Sequence, residues 1–205
     1  ITGWDERFNQ ECKGIEESQA KLARILRKEH ERTSLPYNRM VLAGFSQGGA
    51  LSLFTGLQLP QMLAGIVMMS SYLPASDKFN ITEGLHDTPI FHCHGIADPV
   101  VLYRIALKTQ ELLTTKKGST NYQLKTYSGL GHMVSPQELA DVQEFLEEIL
   151  PPDDTCRIRL KDPSNMSVKE LKAELKKAGL SKKAKGFVEK SEFIQLVQAH
   201  RNGTL

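Results

Sequence analysis

The stretch Gly44-Phe45-Ser46-Gln47-Gly48 lies where a strand is predicted to turn into a helix. The apolar run 39–43 before it is typical of a buried strand, and the run 50–54 after it is typical of a packed helix. In this context the pattern G-x-S-x-G holds a serine hydroxyl exposed at the top of a sheet. We expect both flanking glycines to be required, because a side chain at either position would collide across the tight turn. Ser46 is therefore a candidate nucleophile, although the motif alone is also compatible with an ordinary glycine-rich loop.

Two further residues strengthen this interpretation. Asp98 lies in a loop just after the predicted strand 88–94, at the end where doubly wound sheets carry their functional loops. His132 lies in a glycine-flanked loop after the strand-like stretch 122–127. The chain order Ser, Asp, His is that of the α/β-hydrolase fold. The sequence therefore predicts an α/β protein of this fold, with a mostly parallel sheet and a small C-terminal helix-loop-helix module.

The chemistry of these residue types assigns each a role. Ser46 attacks an acyl carbon, His132 takes the serine proton and returns it to the leaving group, and Asp98 orients the imidazole and stabilises its charged form. The backbone N–H of Gln47, the residue after the nucleophile, is the predicted oxyanion donor. This chemistry needs no cofactor, and we predict none.

The combined motifs resemble the acyl-protein thioesterases, also called the phospholipase/carboxylesterase family. The resemblance runs from about Trp4 to Pro152 and is carried by the elbow 44–53, the loop 70–74, the aspartate loop 93–100 and the histidine loop 127–132. It implies a small cytoplasmic serine hydrolase that removes long acyl chains, typically palmitate, from protein cysteines. Many relatives also cleave lysophospholipids and simple esters, so acylated proteins and lysophospholipids are the expected substrates.

The sequence departs from the family at its beginning. Family members carry an H-G-x-G-type loop before the elbow, which supplies half of the oxyanion hole, whereas no His-Gly pair precedes Gly44 here. The segment Ile1-Thr2-Gly3-Trp4-Asp5 already resembles a part that follows that loop in the family. We therefore expect an N-terminal truncation and a sheet that lacks its first strands. One alternative function is a broad carboxylesterase or lysophospholipase, and a second is a non-catalytic remnant with a basic interaction module.

A substrate groove is predicted at the stretch after the next strand. Met68, Met69, Tyr72 and Leu73 form an apolar run there, and methionine adapts well to flexible apolar ligands. Core packing is the alternative for the two methionines. His92 and His94 alternate around Cys93, but no carboxylate or thiol cluster accompanies them in the sequence, so we predict no metal site.

Composition limits the class of protein. The 205 residues are 40% hydrophobic and 24% charged, enough for one sizeable core and an appendage. No run approaches the roughly 18 apolar residues of a membrane-spanning helix, so no transmembrane segment is predicted. The three cysteines are odd in number and lack a C-x-x-C pair, which favours reduced thiols in the cytoplasm.

Charge divides the chain into two predicted modules. Residues 156–205 carry twelve Lys/Arg and five Asp/Glu, a net +7, and residues 1–155 carry fourteen and nineteen, a net −5. Prolines at 151, 152 and 163 break the chain between them. We therefore predict a hydrolase domain over residues 1–152, a linker over 153–166 and a helical module over 167–200.

The predicted C-terminal module has a helix, an extended loop and a second helix. Ser167-Val168-Lys169-Glu170 is a capping box, and Gly179 is a helix stop. The module resembles SAP-like domains, and the phrase 186–193 is similar to the C-terminal domain of the mesencephalic astrocyte-derived neurotrophic factor family. Lys182, Lys183 and Lys185 in the loop could contact phosphate. A protein partner is favoured over nucleic acid, because no aromatic or arginine reader accompanies these lysines.

Overall fold

The computed structural model describes residues 12–156 and 161–204 and divides the chain into two compact units, Ile1–Arg157 and Ile158–Leu205. The segment Ile1-Thr2-Gly3-Trp4-Asp5, for which the sequence predicts a family resemblance, lies outside the described residues. Within the described residues, no helix is both long enough and apolar enough to cross a bilayer.

The first unit is built on a parallel sheet. Its described part contains four strands in the order β1-β2-β3-β4, and every neighbouring pair is parallel. The strands are β1 (Val41–Phe45), β2 (Gly65–Met69), β3 (Ile90–Gly95) and β4 (Tyr122–Tyr127). The central strand β3 is buried along its whole length, as expected for a parallel strand covered on both faces. The carboxyl ends of all these strands meet at one edge of the sheet.

Helices cover the sheet and connect its strands. They are α1 (Ile15–Thr33), α2 (Gln47–Gly56), α3 (Tyr103–Glu111) and α4 (Pro136–Ile149). Ser135 caps α4 with a complete capping box, and Pro136 occupies the first turn, where a missing N–H costs no hydrogen bond. The structure therefore has the α/β architecture that the sequence predicted, with alternating strands and helices around a parallel sheet.

The apolar core has a layer on each face of the sheet. One layer contains Leu53, Ile66, Met68, Leu73, Phe79 and Ile105, and the other contains Val67, Phe91, Cys93 and Phe145. Phe91 and Phe145 stack with ring centroids 5.0 Å apart, which fixes α4 against β3. Successive residues of β2 thus pack into the two layers on opposite faces of the sheet. Both layers help to hold the strand ends and the loops that follow them.

The second unit is a small helical module. Its described residues form α5 (Val168–Lys177) and α6 (Lys190–Arg201) around a core of Met166, Leu171, Leu175, Phe193 and Val197. The predicted capping box at Ser167 and Glu170 is present. Residues 181–186 form consecutive turns rather than the extended loop that we expected. Pro163 and Met166 are buried, so the packed unit begins before the predicted boundary at Ser167.

Candidate active site

The strand-to-helix turn holds Ser46 in an unusual backbone conformation. β1 ends at Phe45, α2 begins at Gln47, and Ser46 between them has φ 53° and ψ −119°. Residues other than glycine rarely adopt a positive φ, so surrounding contacts must hold Ser46 in this conformation. The Ser46 N–H donates to the Met69 carbonyl (2.8 Å), and the Ser71 hydroxyl donates to the Ser46 carbonyl (2.7 Å). These bonds fasten the turn to the end of β2 and to the chain just after it.

The glycines around Ser46 are not equivalent, which corrects one prediction. A Cβ on Gly44 would lie 2.2 Å from the Gly48 carbonyl carbon, and one on Gly49 would lie 2.8 Å from the Gly44 oxygen. Beyond its chain neighbours and the backbone of its own helix, a Cβ on Gly48 meets no described atom within 4 Å. The turn therefore excludes side chains at Gly44 and Gly49, whereas the expectation that Gly48 is sterically required is wrong.

Asp98, His132 and Ser46 are brought into one hydrogen-bonded chain from three separate strand exits. His132 Nε2 lies 3.1 Å from Ser46 Oγ, and His132 Nδ1 lies 2.8 Å from Asp98 Oδ2. A carboxylate only accepts hydrogen bonds, so Nδ1 carries the proton and Nε2 is free to accept from the serine hydroxyl. The Phe45 ring packs against the imidazole, with centroids 4.7 Å apart. This geometry is suited to removing a proton from Ser46.

The Asp98 carboxylate is held on both oxygens. Oδ1 accepts from the Val100 and Val101 N–H groups at 2.8 and 2.9 Å, and Oδ2 faces His132. Burial by itself would raise the pKa of Asp98, but the bonds from His132 and from the two backbone amides outweigh it, and the pKa lies below its ordinary value. The carboxyl group is therefore charged at neutral pH, as a partner of an imidazolium must be.

A cavity of about 420 Å³ adjoins the nucleophile turn. Its walls include Gln47 and Gly48 at the start of α2, Tyr72 after β2, and the segment before α1. The N–H groups in the first turn of a helix have no acceptor within that helix, so the Gln47 N–H is available to a ligand oxygen. Gln47, whose backbone N–H is the predicted oxyanion donor, thus lines a cavity beside the nucleophile turn.

The four residues predicted as a substrate groove do not lie together. Met68 and Leu73 have no exposed surface and belong to the core layer under α2 and α3, and Met69 packs on the opposite face of the sheet. Tyr72 lines the cavity. The groove prediction is therefore corrected for Met68 and Leu73, which are core residues.

Exposed apolar side chains near the site come from other loops. Ile96 and Val100 flank Asp98, and Met133 and Val134 follow His132, with exposed fractions of 45%, 49%, 61% and 37%. Sequence reasoning missed them because single apolar residues in loops carry no periodic signal. It also missed Ser71, whose only signal is its place directly after a strand that neighbours the nucleophile strand.

His92 and His94 are buried on β3, and their ring nitrogens contact protein groups. His92 Nδ1 bonds the Tyr122 hydroxyl, and His94 Nε2 lies 2.7 Å from the Val101 carbonyl oxygen. Among residues 12–156 and 161–204, no group of three or more His, Cys, Asp or Glu side chains is arranged to hold a metal ion.

This chain is similar in sequence to curated acyl-protein thioesterases. Among curated relatives, acyl-protein thioesterase 1 of Neurospora crassa is 43% identical over 149 residues, which cover 71% of this chain and 60% of that protein. The Candida albicans protein of the same name is 35% identical over 146 residues, covering 69% and 63%. This chain thus spans about three fifths of the length of these relatives.

Solved structures show the same fold. The crystal structure of Zea mays acyl-protein thioesterase 2 superposes with a TM-score of 0.58 at 27% identity, covering 67% of this chain and 65% of that one. Arabidopsis thaliana SOBER1 gives 0.60 at 28%, covering 66% and 64%. Residues 1–150 match the sequence profile of the Phospholipase/Carboxylesterase family. The strand order, the serine turn and this match together show that the chain belongs to the phospholipase/carboxylesterase family of α/β-hydrolases.

Proposed function

We propose that this protein is a serine hydrolase that cleaves long-chain acyl thioesters from protein cysteines through an acyl-enzyme on Ser46. The observation that carries this proposal is the hydrogen-bonded chain from Asp98 Oδ2 through His132 to Ser46 Oγ. Family membership supports it, and so do the relatives named acyl-protein thioesterase.

The reaction follows from the positions of the atoms. As Ser46 Oγ attacks the thioester carbonyl carbon, its proton passes to His132 Nε2, and the Gln47 N–H donates to the oxyanion. The carbon–sulfur bond then breaks, and the cysteine sulfur leaves with the proton held by His132. A water molecule donates its proton to Nε2 and attacks the acyl-enzyme. As the bond to Oγ breaks, the fatty acid is released and His132 returns the proton to Oγ, which restores the Ser46 hydroxyl.

A long acyl chain is the proposed substrate group because of the surfaces around the triad. Ile96, Val100, Met133 and Val134 expose apolar side chains on the two loops that carry Asp98 and His132. The cavity beside Gln47 offers further space. The same catalytic residues also suit oxygen esters, so a broad carboxylesterase or lysophospholipase is the alternative function.

The chain-length dependence of hydrolysis tests the substrate class. For a series of acyl thioesters from acetyl to palmitoyl, we expect kcat/KM to rise with length, because each buried methylene stabilises the complex by up to about 0.8 kcal/mol. The measurement is release of the free thiol by the 205-residue chain, with matched oxygen esters as the control. An optimum at acetyl or butyryl groups would favour the short-chain carboxylesterase. Absence of hydrolysis and of covalent labelling at Ser46 would favour the non-catalytic remnant.

We propose the cytoplasm as the location of this protein. All three cysteines, Cys12, Cys93 and Cys156, are free thiols, which is usual for proteins of a reducing compartment.

The C-terminal unit is proposed to be a SAP-like interaction module. Its two helices pack around a small core, and Lys182, Lys183 and Lys185 are exposed on the turns between them. An acidic protein surface is the proposed partner, and nucleic acid is the alternative.

Removal of the basic unit tests this division of roles. A chain that ends after Pro152 should hydrolyse a small soluble thioester at nearly the full rate, because Ser46, Asp98 and His132 all precede the cut. Binding to an acidic partner should be lost, as should binding to DNA at low salt if the alternative holds. Changing the three lysines to alanine is the matched control, and it should weaken the salt dependence of DNA binding. Loss of small-thioester turnover on truncation would contradict the two-module interpretation.

A further inference from the structure

A chain of buried polar side chains lies directly beneath the triad and takes no part in the proposed reaction. The Tyr122 hydroxyl bonds His92 Nδ1, His92 Nε2 lies 3.4 Å from His94 Nδ1, and His94 Nε2 lies 2.7 Å from the Val101 carbonyl oxygen. Both imidazoles have no exposed surface. Burying a polar group without a hydrogen-bond partner costs free energy, so two histidines are less favourable in a sheet core than apolar side chains would be.

The acceptor at one end of this chain fixes where each proton lies. A carbonyl oxygen only accepts, so His94 Nε2 carries a proton and donates to Val101. His94 Nδ1 is then an acceptor that faces His92 Nε2–H, and His92 Nδ1 accepts from the Tyr122 hydroxyl. Burial, together with the neighbouring His94, lowers the pKa of His92 to about 3, and burial lowers the pKa of His94 as well. Both rings are therefore neutral at physiological pH. Each hydrogen bond is donated in the same direction, from the Tyr122 hydroxyl through His92 and His94 to the Val101 carbonyl.

Val101 joins this chain to the triad. Its carbonyl oxygen accepts from His94, while its N–H donates to Asp98 Oδ1. His94 Nε2 itself is 3.9 Å from Asp98 Oδ2, too far for a hydrogen bond. The influence of His94 on the carboxylate therefore passes through the Val101 backbone.

We propose that His94, backed by His92 and Tyr122, is a positioning residue that fixes the Val101 backbone and thereby the orientation of Asp98 toward His132. With Oδ1 held by the Val100 and Val101 amides, Oδ2 is the oxygen left for the imidazole. The consequence of this positioning role for catalysis rests on the proposed function, whereas the effect of His94 on the Asp98 loop does not.

Paired substitutions at His94 test the positioning role. Leucine fills the volume but donates nothing, whereas the side-chain amide of glutamine can still donate to Val101. For His94→Leu we expect the rate of Ser46 labelling by a saturating fluorophosphonate to fall by about 10²-fold, the usual effect of a small misplacement, with little change in the concentration for half-saturation. His94→Gln should recover most of that rate. A general loss of stability would not separate the two variants in this way.

Amide hydrogen exchange gives a second measurement that does not depend on activity. In His94→Leu the Val100 and Val101 amides should exchange about tenfold faster, as expected for weakened bonds to a carboxylate, while amides of β2 and β4 keep their protection. If the unmodified chain is not labelled, the proposed function fails, and exchange at these amides still decides the positioning role.

Tyr122→Phe covers the case in which His94→Leu does not fold, since it removes one oxygen and keeps the ring. It should change labelling and exchange in the same direction and by less, about threefold, because one neutral hydrogen bond is lost. Unchanged labelling in a folded His94→Leu would overturn the proposal, as would unchanged exchange at Val101. If His94→Leu does not fold, unchanged values in Tyr122→Phe would overturn it.

Discussion

Replacement of Asp98 by asparagine should slow the acylation of Ser46 by about four orders of magnitude while the fold stays intact. Oδ1 of Asp98 accepts from two backbone N–H groups, of Val100 and Val101. In the variant those donors select the amide oxygen, so the amide nitrogen must face His132. The imidazole can then satisfy this new donor only with an unprotonated Nδ1, which places its proton on Nε2. That tautomer cannot accept the proton of Ser46.

The measurement is the second-order rate of labelling by a fluorophosphonate, with Ser46→Ala as the zero point. Ser46→Ala should abolish labelling, since no other residue is proposed as the nucleophile. Equal unfolding midpoints in urea for Asp98→Asn and the unmodified chain would show that the loss is chemical. A decrease of less than tenfold in Asp98→Asn would mean that another carboxylate orients His132. Persistent labelling of Ser46→Ala would remove Ser46 from its proposed role.

The fold could be predicted because its elements are encoded locally, and the triad was predicted from the places of its residues along those elements. A short apolar run, a glycine-flanked serine and a helical run identify β1, the turn and α2 without any long-range information. Asp98 and His132 follow strands of the same parallel sheet, so their meeting at one edge is a consequence of topology. In the structure His132 lies within hydrogen-bonding distance of both Asp98 and Ser46, which is consistent with that reasoning.

Contacts between distant segments could not be predicted in the same way. The hydroxyl of Ser71 reaches the Ser46 carbonyl across 25 positions, and His94 reaches the Val101 carbonyl by the fold of a loop. No local pattern marks either one. The failure at Met68 and Leu73 has a related cause: a continuous apolar run does not reveal which residues face the core and which face a ligand.

Replacement of Gly44 by alanine should be the most damaging single methyl addition at the turn. The new Cβ would lie 2.2 Å from the carbonyl carbon of Gly48 and 2.4 Å from the nitrogen of Gly49, and both are backbone atoms that cannot rotate away. Either β1 or the start of α2 must shift. We expect the free energy of unfolding to fall by roughly 3 kcal/mol, the upper range for overpacking. Labelling of Ser46 should fall by about 10²-fold or more, because the nucleophile moves with the turn.

Gly48→Ala is the matched control, since it adds the same methyl group four residues away, where no described atom beyond its chain neighbours and its own helix backbone lies within 4 Å. Its unfolding free energy should change by at most about 0.5 kcal/mol in the unfavourable direction, because alanine is also a better helix former than glycine. Urea unfolding and labelling of both variants would be measured side by side. Equal destabilisation of the two variants would contradict the steric argument. It would show that something other than the contact between Gly44 and Gly48 makes the turn intolerant of an added methyl group. A large loss in Gly44→Ala alone would show that close backbone packing at this one point holds Ser46 in its positive-φ conformation.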